Sequence, residues 1–148
     1  MKKLSDHGTI DEIITRIDML REDSKPLWGK MNPAQMFTHL NRYMELTFGE
    51  IKLKRELGGI LLSYFARKKL FTEEYLPKNM PTNPYFVIKD ERNFEAEKFR
   101  LIEYVNKMEK SGNTTFIGRH PFFGKLTPLE WERLTLVHFD HHLRQYGV

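Results

Sequence analysis

Three of the six histidines fall within five consecutive positions near the C-terminus, at His138, His141 and His142. At about 100° per residue, a helix places His138 and His142 one turn apart on the same face. This spacing can chelate a divalent metal ion. His141 lies roughly 70° to the flank of that face by the same arithmetic. Clustered histidines also occur on solvated surfaces, so a metal site here requires a third ligand elsewhere in the chain.

The residues around this pair predict a helix over 128–146 with a defined start. Thr127 can cap it, Pro128 suits the first helical position, and Glu130 completes a capping box. The face that carries the two imidazoles is otherwise mostly apolar, which indicates that it is buried. Two neutral imidazoles on a buried face need polar partners, and a metal ion is one way to supply them.

His39 is the natural candidate for the third ligand. A second helix is predicted over 33–48, where Asn32 caps, Pro33 begins the helix and Gln35 completes the cap. A lone histidine on an apolar helix face is usually a core residue with an ordinary hydrogen-bond partner. If this helix packs beside the last one, however, His39 faces the histidine pair. The residues that share its face are Met36, Leu40, Tyr43 and Thr47.

Apolar periodicity predicts two further long helices, over 9–22 and 93–110. Thr9 and Glu12 have the spacing of a capping box at the start of the first. An additional helical segment is expected within 54–71. The proline-containing stretch 73–90 is expected to be a loop or extended, and 114–126 an ordered loop near the start of the last helix. His120 in that loop is either structural or lines the mouth of a pocket.

Composition limits the possible function classes. The chain has 148 residues, 40% hydrophobic content and a net charge of +4, which fit one globular domain over 1–148. The absence of cysteine excludes disulfides and thiolate metal ligands within the chain. There is no apolar signal core and no apolar run of the ~20 residues needed to span a membrane. We therefore expect a cytoplasmic protein. Because the basic residues are dispersed, nucleic acid is not the favoured partner.

The motifs resemble those of a known group. Trp28-x4-Pro33-x5-His39-Leu40 and His138-x3-His142-x2-Gln145 resemble the DinB/YfiT-like superfamily of metalloenzymes. The ending, with His120-Pro-Phe-Phe-Gly, Trp131 and Asp140-His-His-Leu-Arg-Gln-Tyr-Gly, is similar to one uncharacterised subfamily of that group. The resemblance extends over nearly the whole chain and is least over 50–92.

This resemblance implies an all-α four-helix bundle with up-down-down-up topology, in which a long crossover joins the second and third helices. It also implies a site where three histidines bind a divalent metal ion, usually zinc or nickel. These histidines correspond to His39, His138 and His142. Characterised members of the group include thiol-dependent transferases and isomerases.

The sequence hypothesis is therefore a metal-dependent enzyme that acts on a small molecule, of hydrolase or thiol-dependent transferase type. Gln35, Thr135 and Gln145 are candidates to orient the imidazoles, and His141 is a candidate proton shuttle. Two alternatives remain: a helical bundle that binds a metal or ligand without catalysis, and a basic interaction module for nucleic acid or a membrane surface. The apolar group within 60–65 suggests a homodimer.

Overall fold

Four α-helices make up most of the secondary structure in the described part of the chain. The computed structural model describes residues 3–55, 76–80 and 82–148. Its helices are α1 (Thr9–Asp18), α2 (Pro33–Thr47), α3 (Phe94–Ser111) and α4 (Pro128–Gln145). This arrangement confirms the predicted all-α helical bundle, and the long connection between α2 and α3 spans residues 48–93. The up-down-down-up order of helix directions stays a prediction.

The first helix differs from its predicted form at both ends. Gly8, with φ of 82°, precedes it, and the side chain of Thr9 makes no capping bond. Thr9 is instead buried in the first turn, so the predicted capping box is wrong. The helix ends at Asp18 rather than at residue 22 because the Leu20 amide donates to the Ile17 carbonyl at 3.2 Å, which tightens the last turn. Leu20 still reaches the core, at 3% exposure.

The two helices that carry the histidines begin as their sequences predict. Asn32 and Gln35 form a reciprocal capping box before α2, and Thr127 and Glu130 form another before α4. These caps satisfy amide groups that have no partner inside a helix. They also determine where each helix starts, and so which side chains lie on the buried face.

The core lies between the four helices. In the described chain, α2 packs against α3 and α4, and α1 packs against α3 and α4. The buried contact between α2 and α4 is the one on which the predicted site depends. The largest fully buried side chains are Trp131, Phe37, Phe139, Ile17, Met36, Leu40, Met44, Leu46, Leu101, Met108, Leu143 and Val105.

The segments between the long helices contain short ordered elements. A 3-10 helix at Pro84–Phe86 lies in the long connection, and another at Gly112–Thr115 follows α3. The predicted ordered loop over 114–126 contains a small hairpin, in which β1 (Arg119–His120) pairs antiparallel with β2 (Gly124–Lys125). The sequence reasoning missed this hairpin.

Two expectations concern residues outside the described part of the chain. The additional helical segment within 54–71 lies there from residue 56 onward, and so does the apolar group within 60–65 that suggested a homodimer. Both stay predictions. Among the described helices, none has the length and apolar character required to cross a membrane.

The hairpin is joined to the bundle at Gly118, and this contact requires glycine. The Gly118 amide donates to the Thr47 carbonyl at 3.1 Å, and its own carbonyl accepts from Trp131 Nε1 at 3.3 Å. A Cβ at this position would lie 1.7 Å from the Leu46 carbonyl oxygen. The backbone of the hairpin therefore approaches the end of α2 too closely for any side chain.

We expect Gly118→Ala to lower the free energy of unfolding by about 3 kcal/mol, because the backbone must shift to relieve the overlap. Ile117→Ala is the matched control, since Ile117 is 72% exposed and its truncation should cost within about 0.5 kcal/mol. Urea unfolding followed by circular dichroism measures both. Equal stabilities of the two variants would contradict the close approach.

Candidate metal centre

Three imidazole nitrogens converge between α2 and α4. His39 Nε2 lies 3.1 Å from His138 Nε2, and His142 Nε2 lies 3.0 Å from the same atom. The three ligand atoms all lie within 4.8 Å of one another. Nitrogens bound to a tetrahedral zinc at about 2.0–2.1 Å stand about 3.4 Å apart, so these separations are close to those of a metal site. The structure thus brings together the three residues that the sequence indicated.

Hydrogen bonds to the opposite ring nitrogens determine the tautomers of the two outer histidines. His39 Nδ1 lies 2.9 Å from the Phe86 carbonyl oxygen, which can only accept. His142 Nδ1 lies 2.9 Å from Gln145 Oε1. Each Nδ1 therefore carries the proton and donates it. In the neutral rings, both Nε2 atoms consequently present lone pairs to the centre of the cluster.

His138 cannot satisfy both of these lone pairs. If its Nε2 carries a proton, that proton can be donated to His39 or to His142, but not to both. If its Nε2 is unprotonated, three lone pairs face one another. Either way, at least one contact near 3 Å is between two acceptors. A cation between the three nitrogens removes this repulsion, so the donor set fits a metal ion.

Burial keeps these rings neutral. It lowers the pKa of His39, and it lowers the pKa values of His138 and His142 well below 6.5. Repulsion from the neighbouring histidines, when these are protonated, lowers the pKa of each ring further. Neutral imidazole is the form that binds metal, so no proton has to be displaced at neutral pH. Of the three, only His138 is partly exposed, while His39 and His142 are 6% and 7% exposed.

Gln145 is the predicted orienting residue that directly contacts a ligand histidine. Its Nε2 donates to the Trp28 carbonyl at 2.6 Å, which leaves its Oε1 facing His142. Gly29, with φ of 80°, makes this approach possible, since a Cβ there would lie 2.4 Å from Gln145 Nε2. The chain before α2 therefore determines which way the Gln145 amide is oriented.

The other two orienting candidates differ from expectation. Thr135 bonds to the hydroxyl of Tyr43 at 3.2 Å instead of to an imidazole. Tyr43 in turn packs against the His138 ring in a T-shaped contact, with 4.4 Å between centroids, so Thr135 is connected to the cluster only indirectly, by way of Tyr43. Gln35 was wrongly assigned, because its side chain bonds to Asn32 and to the Asp90 carbonyl at the start of α2.

The Phe86 carbonyl was missed entirely. It lies in the stretch that was expected to be a loop or extended, and any residue type supplies a carbonyl oxygen, so no sequence signal could have identified it. The short 3-10 helix at Pro84–Phe86 places this oxygen against His39. The long connection thus contributes directly to the site.

His141 lies beside the cluster without joining it. Its ring centroid is 5.0 Å from that of His142 and 5.7 Å from that of Trp28. It is half-buried, and burial lowers its pKa despite a hydrogen bond to the backbone at Leu76 and the nearby charge of Asp140. Its position therefore corresponds to the flank that the helical spacing predicted.

His120 also has a defined tautomer, and it makes structural hydrogen bonds within the hairpin. Its Nδ1 accepts from the amides of Phe122 and Phe123 at 3.2 and 3.3 Å. The ring is enclosed by Phe123 and Trp131, with centroids 4.7 and 5.8 Å away. Burial lowers the pKa of His120 to about 3. The imidazole thus closes the turn between β1 and β2 as a neutral acceptor.

Comparison with known proteins identifies the family. The family model described as Protein of unknown function (DUF1569) matches residues 2–147, so the chain belongs to this family. This family lies in the DinB/YfiT-like fold superfamily. No curated protein matches the chain, and no solved structure does either.

The neutral state of the His120 ring, which is enclosed by Phe123 and Trp131, predicts a pH dependence of stability. Its ordinary pKa is 6.5 and its folded value is about 3, so between these limits the unfolded chain binds a proton that the folded chain does not. This contribution to the free energy of unfolding is fully present above pH 6.5. It falls by up to about 1.4 kcal/mol for each pH unit below that value.

We therefore expect His120→Phe to lose less stability than the parent between pH 7.5 and pH 5.0. Phenylalanine retains the packing against Trp131 but cannot take up the proton. Urea unfolding of both proteins at both pH values gives the change in unfolding free energy with pH for each protein. Comparing these two changes removes the cost of the two amides that lose their acceptor in the variant, because that cost is the same at both pH values. An identical loss in parent and variant would contradict the assignment.

Proposed function

We propose that His39, His138 and His142 hold a divalent metal ion, zinc or nickel, and that the protein is a metal-dependent enzyme acting on a small molecule. The observation that supports this most directly is the convergence of three imidazole nitrogens, two of which, on His39 and His142, direct lone pairs toward the centre of the cluster. Membership of a family in the DinB/YfiT-like fold superfamily supports the same ligand set.

The chemistry of such a site is that of a Lewis acid. A divalent ion held by three neutral imidazoles polarises a carbonyl group, acidifies a coordinated water or holds a thiolate, as hydrolase or thiol-dependent transferase chemistry requires. The Phe86 carbonyl and Gln145 orient two of the rings from behind. Tyr43 restricts the third ring, that of His138, by packing against it in a T-shaped contact. Of the three ligands, His138 is the one that is partly exposed.

We further propose His141 as the residue that transfers protons to and from the reacting molecule. Its neutral, half-buried ring lies next to a ligand histidine, which supports this role. The other candidate function is a bundle that binds a metal or ligand without catalysis. It has the same three ligands and differs only in lacking turnover, so a screen of hydrolase and thiol-transferase substrates with metal-loaded protein separates the two.

Removing one ligand should abolish tight metal binding. We expect His138→Ala to lose the bound ion, because the two remaining imidazoles chelate poorly. The parent should gain about 2.7 kcal/mol in unfolding free energy at a metal concentration of a hundred times the dissociation constant, and the variant should gain none. Elemental analysis of protein purified without a histidine tag, together with calorimetric titration with zinc and nickel, measures this.

His7→Ala is the matched control, since His7 is exposed and lies before α1. It should bind metal as the parent does. If His138→Ala bound zinc or nickel with the affinity of the parent, the three-histidine site would be refuted.

A substitution of His141 should have a different effect on metal binding from a substitution of a ligand histidine. We expect His141→Gln to retain the metal with unchanged affinity, because its ring does not belong to the nitrogen cluster. Once a turnover reaction is identified, kcat should fall by about 10²–10⁴-fold with little change in KM, as for loss of a general acid or base. A loss of metal instead would assign His141 to the ligand set.

A further inference from the structure

Three side chains on one face of α2 donate hydrogen bonds to backbone carbonyls in the connection before α3. In order along the helix, the pairs are Gln35 with Asp90 at 3.2 Å, His39 with Phe86 at 2.9 Å, and Arg42 with Tyr85 at 2.6 Å. The numbers rise along α2 as they fall along the connection, so this part of the connection lies antiparallel to the helix. The middle donor of the three is a candidate metal ligand.

Tyr85 is held at more than its carbonyl. The guanidinium of Arg42 also lies over its ring, 5.0 Å from the centroid. The Tyr85 hydroxyl donates to Glu45 Oε2 at 2.8 Å, one further turn along α2. Glu45 is itself fixed by Arg100 of α3, whose Nη2 lies 2.5 Å from Glu45 Oε1. Both helices therefore hold the side chain of Tyr85 in one position.

The residue held in this way precedes the one whose carbonyl contacts His39. Asn83 ties the two together, because its side chain accepts from the Tyr85 amide at 2.9 Å and its carbonyl accepts from the Phe86 amide at 2.9 Å. The Phe86 side chain is buried in the core. The 3-10 turn is thus one hydrogen-bonded unit, and a displacement of Tyr85 would draw the Phe86 carbonyl away from the imidazole.

We propose that Arg42 and Tyr85 are positioning residues of the metal centre, which hold the Phe86 carbonyl against His39 and so keep the other nitrogen of that ring directed at the ion. This inference rests on the proposed function, because it presupposes the metal ion. The coupling is reciprocal. Contacts that hold the turn strengthen metal binding, and a bound ion strengthens the attachment of the turn by making the Nδ1–H of His39 a better donor.

Arg42 provides a test in which charge and positioning predict opposite results. It carries a positive charge one turn from His39, so by charge alone its removal would raise the affinity for a divalent cation. We expect Arg42→Met instead to lower the zinc affinity of the full chain about fivefold or more, because Tyr85 loses the donor to its carbonyl. Competition calorimetry with metal-free protein measures the affinity. An equal or higher zinc affinity in the variant would overturn the role of Arg42.

Tyr85→Phe tests the second residue without any change of charge. It keeps the ring beside Arg42 and removes only the bond to Glu45, so we expect the protein to fold and its zinc affinity to fall roughly threefold or more. Tyr104→Phe is the matched control, since it removes a similar bond, from the Tyr104 hydroxyl to Glu50 at 2.6 Å, that does not hold the turn. Zinc affinity should stay at the parent value in the control. Equal affinities in the two variants would overturn the role of Tyr85.

Hydrogen exchange in the parent tests the reverse direction of the coupling. Zinc should slow exchange of the Tyr85, Phe86 and Val87 amides about fivefold or more. The Phe116 amide, which donates to the Asn113 carbonyl at 3.1 Å in the other 3-10 turn, is the control and should exchange at the same rate with and without zinc. Unchanged exchange at all three amides in zinc-loaded protein would overturn the coupling.

The same titrations distinguish failure of this inference from failure of the proposed function. A parent protein that binds neither zinc nor nickel would refute the metal centre itself. A parent that binds zinc, with variants that bind it equally well, would refute only the positioning of His39 through Arg42 and Tyr85.

Discussion

Repulsion between nitrogen lone pairs in a cluster of three imidazoles, of which His39 and His142 are buried, is the constraint that defines the candidate site. Two of those lone pairs are directed inward because the opposite ring nitrogens donate elsewhere, to the Phe86 carbonyl and to Gln145. The rings remain close only because α2 and α4 are held together by the surrounding core. Packing thus imposes an unfavourable contact that a cation converts into a favourable one.

The segments between the helices contribute to the convergence of the three imidazoles as well as the helices do. The long connection supplies the acceptor for His39, and the turn before α2 supplies the carbonyl that orients Gln145. Binding a metal ion at this position would therefore stabilise contacts between the helices and both segments, because the free energy of binding adds to that of folding. Gly29 permits the close approach of its segment to Gln145, which a side chain would block.

Charge distinguishes this site from a metal centre supported by carboxylates. Its ligands and their immediate hydrogen-bond partners are all neutral, and its basic neighbours are themselves engaged in contacts with aromatic rings and carbonyl groups.

The sequence by itself determined the starts of α2 and α4 and the shared face of His138 and His142, because these depend on local signals, whereas the approach of His39 to that pair depends on how α2 packs against α4. Capping boxes at Asn32 and Thr127 and the one-turn spacing of His138 and His142 were sufficient to predict both helix starts and the shared face. The start and end of α1 were less certain from sequence, since Thr9 is buried rather than capping and Leu20 turns into the core after the helix has ended.

Only the tertiary structure decided which groups lie behind the ligands. Spacing placed Gln35, Thr135 and Gln145 near the imidazoles, yet only Gln145 touches one, Thr135 acts through Tyr43, and Gln35 caps a helix. The Phe86 carbonyl has no signature in the sequence because every residue carries the same backbone oxygen. The hydrogen-bond partners of the histidines depend on how distant segments of the chain pack together. That packing is driven by burial of the whole core rather than by any local sequence pattern.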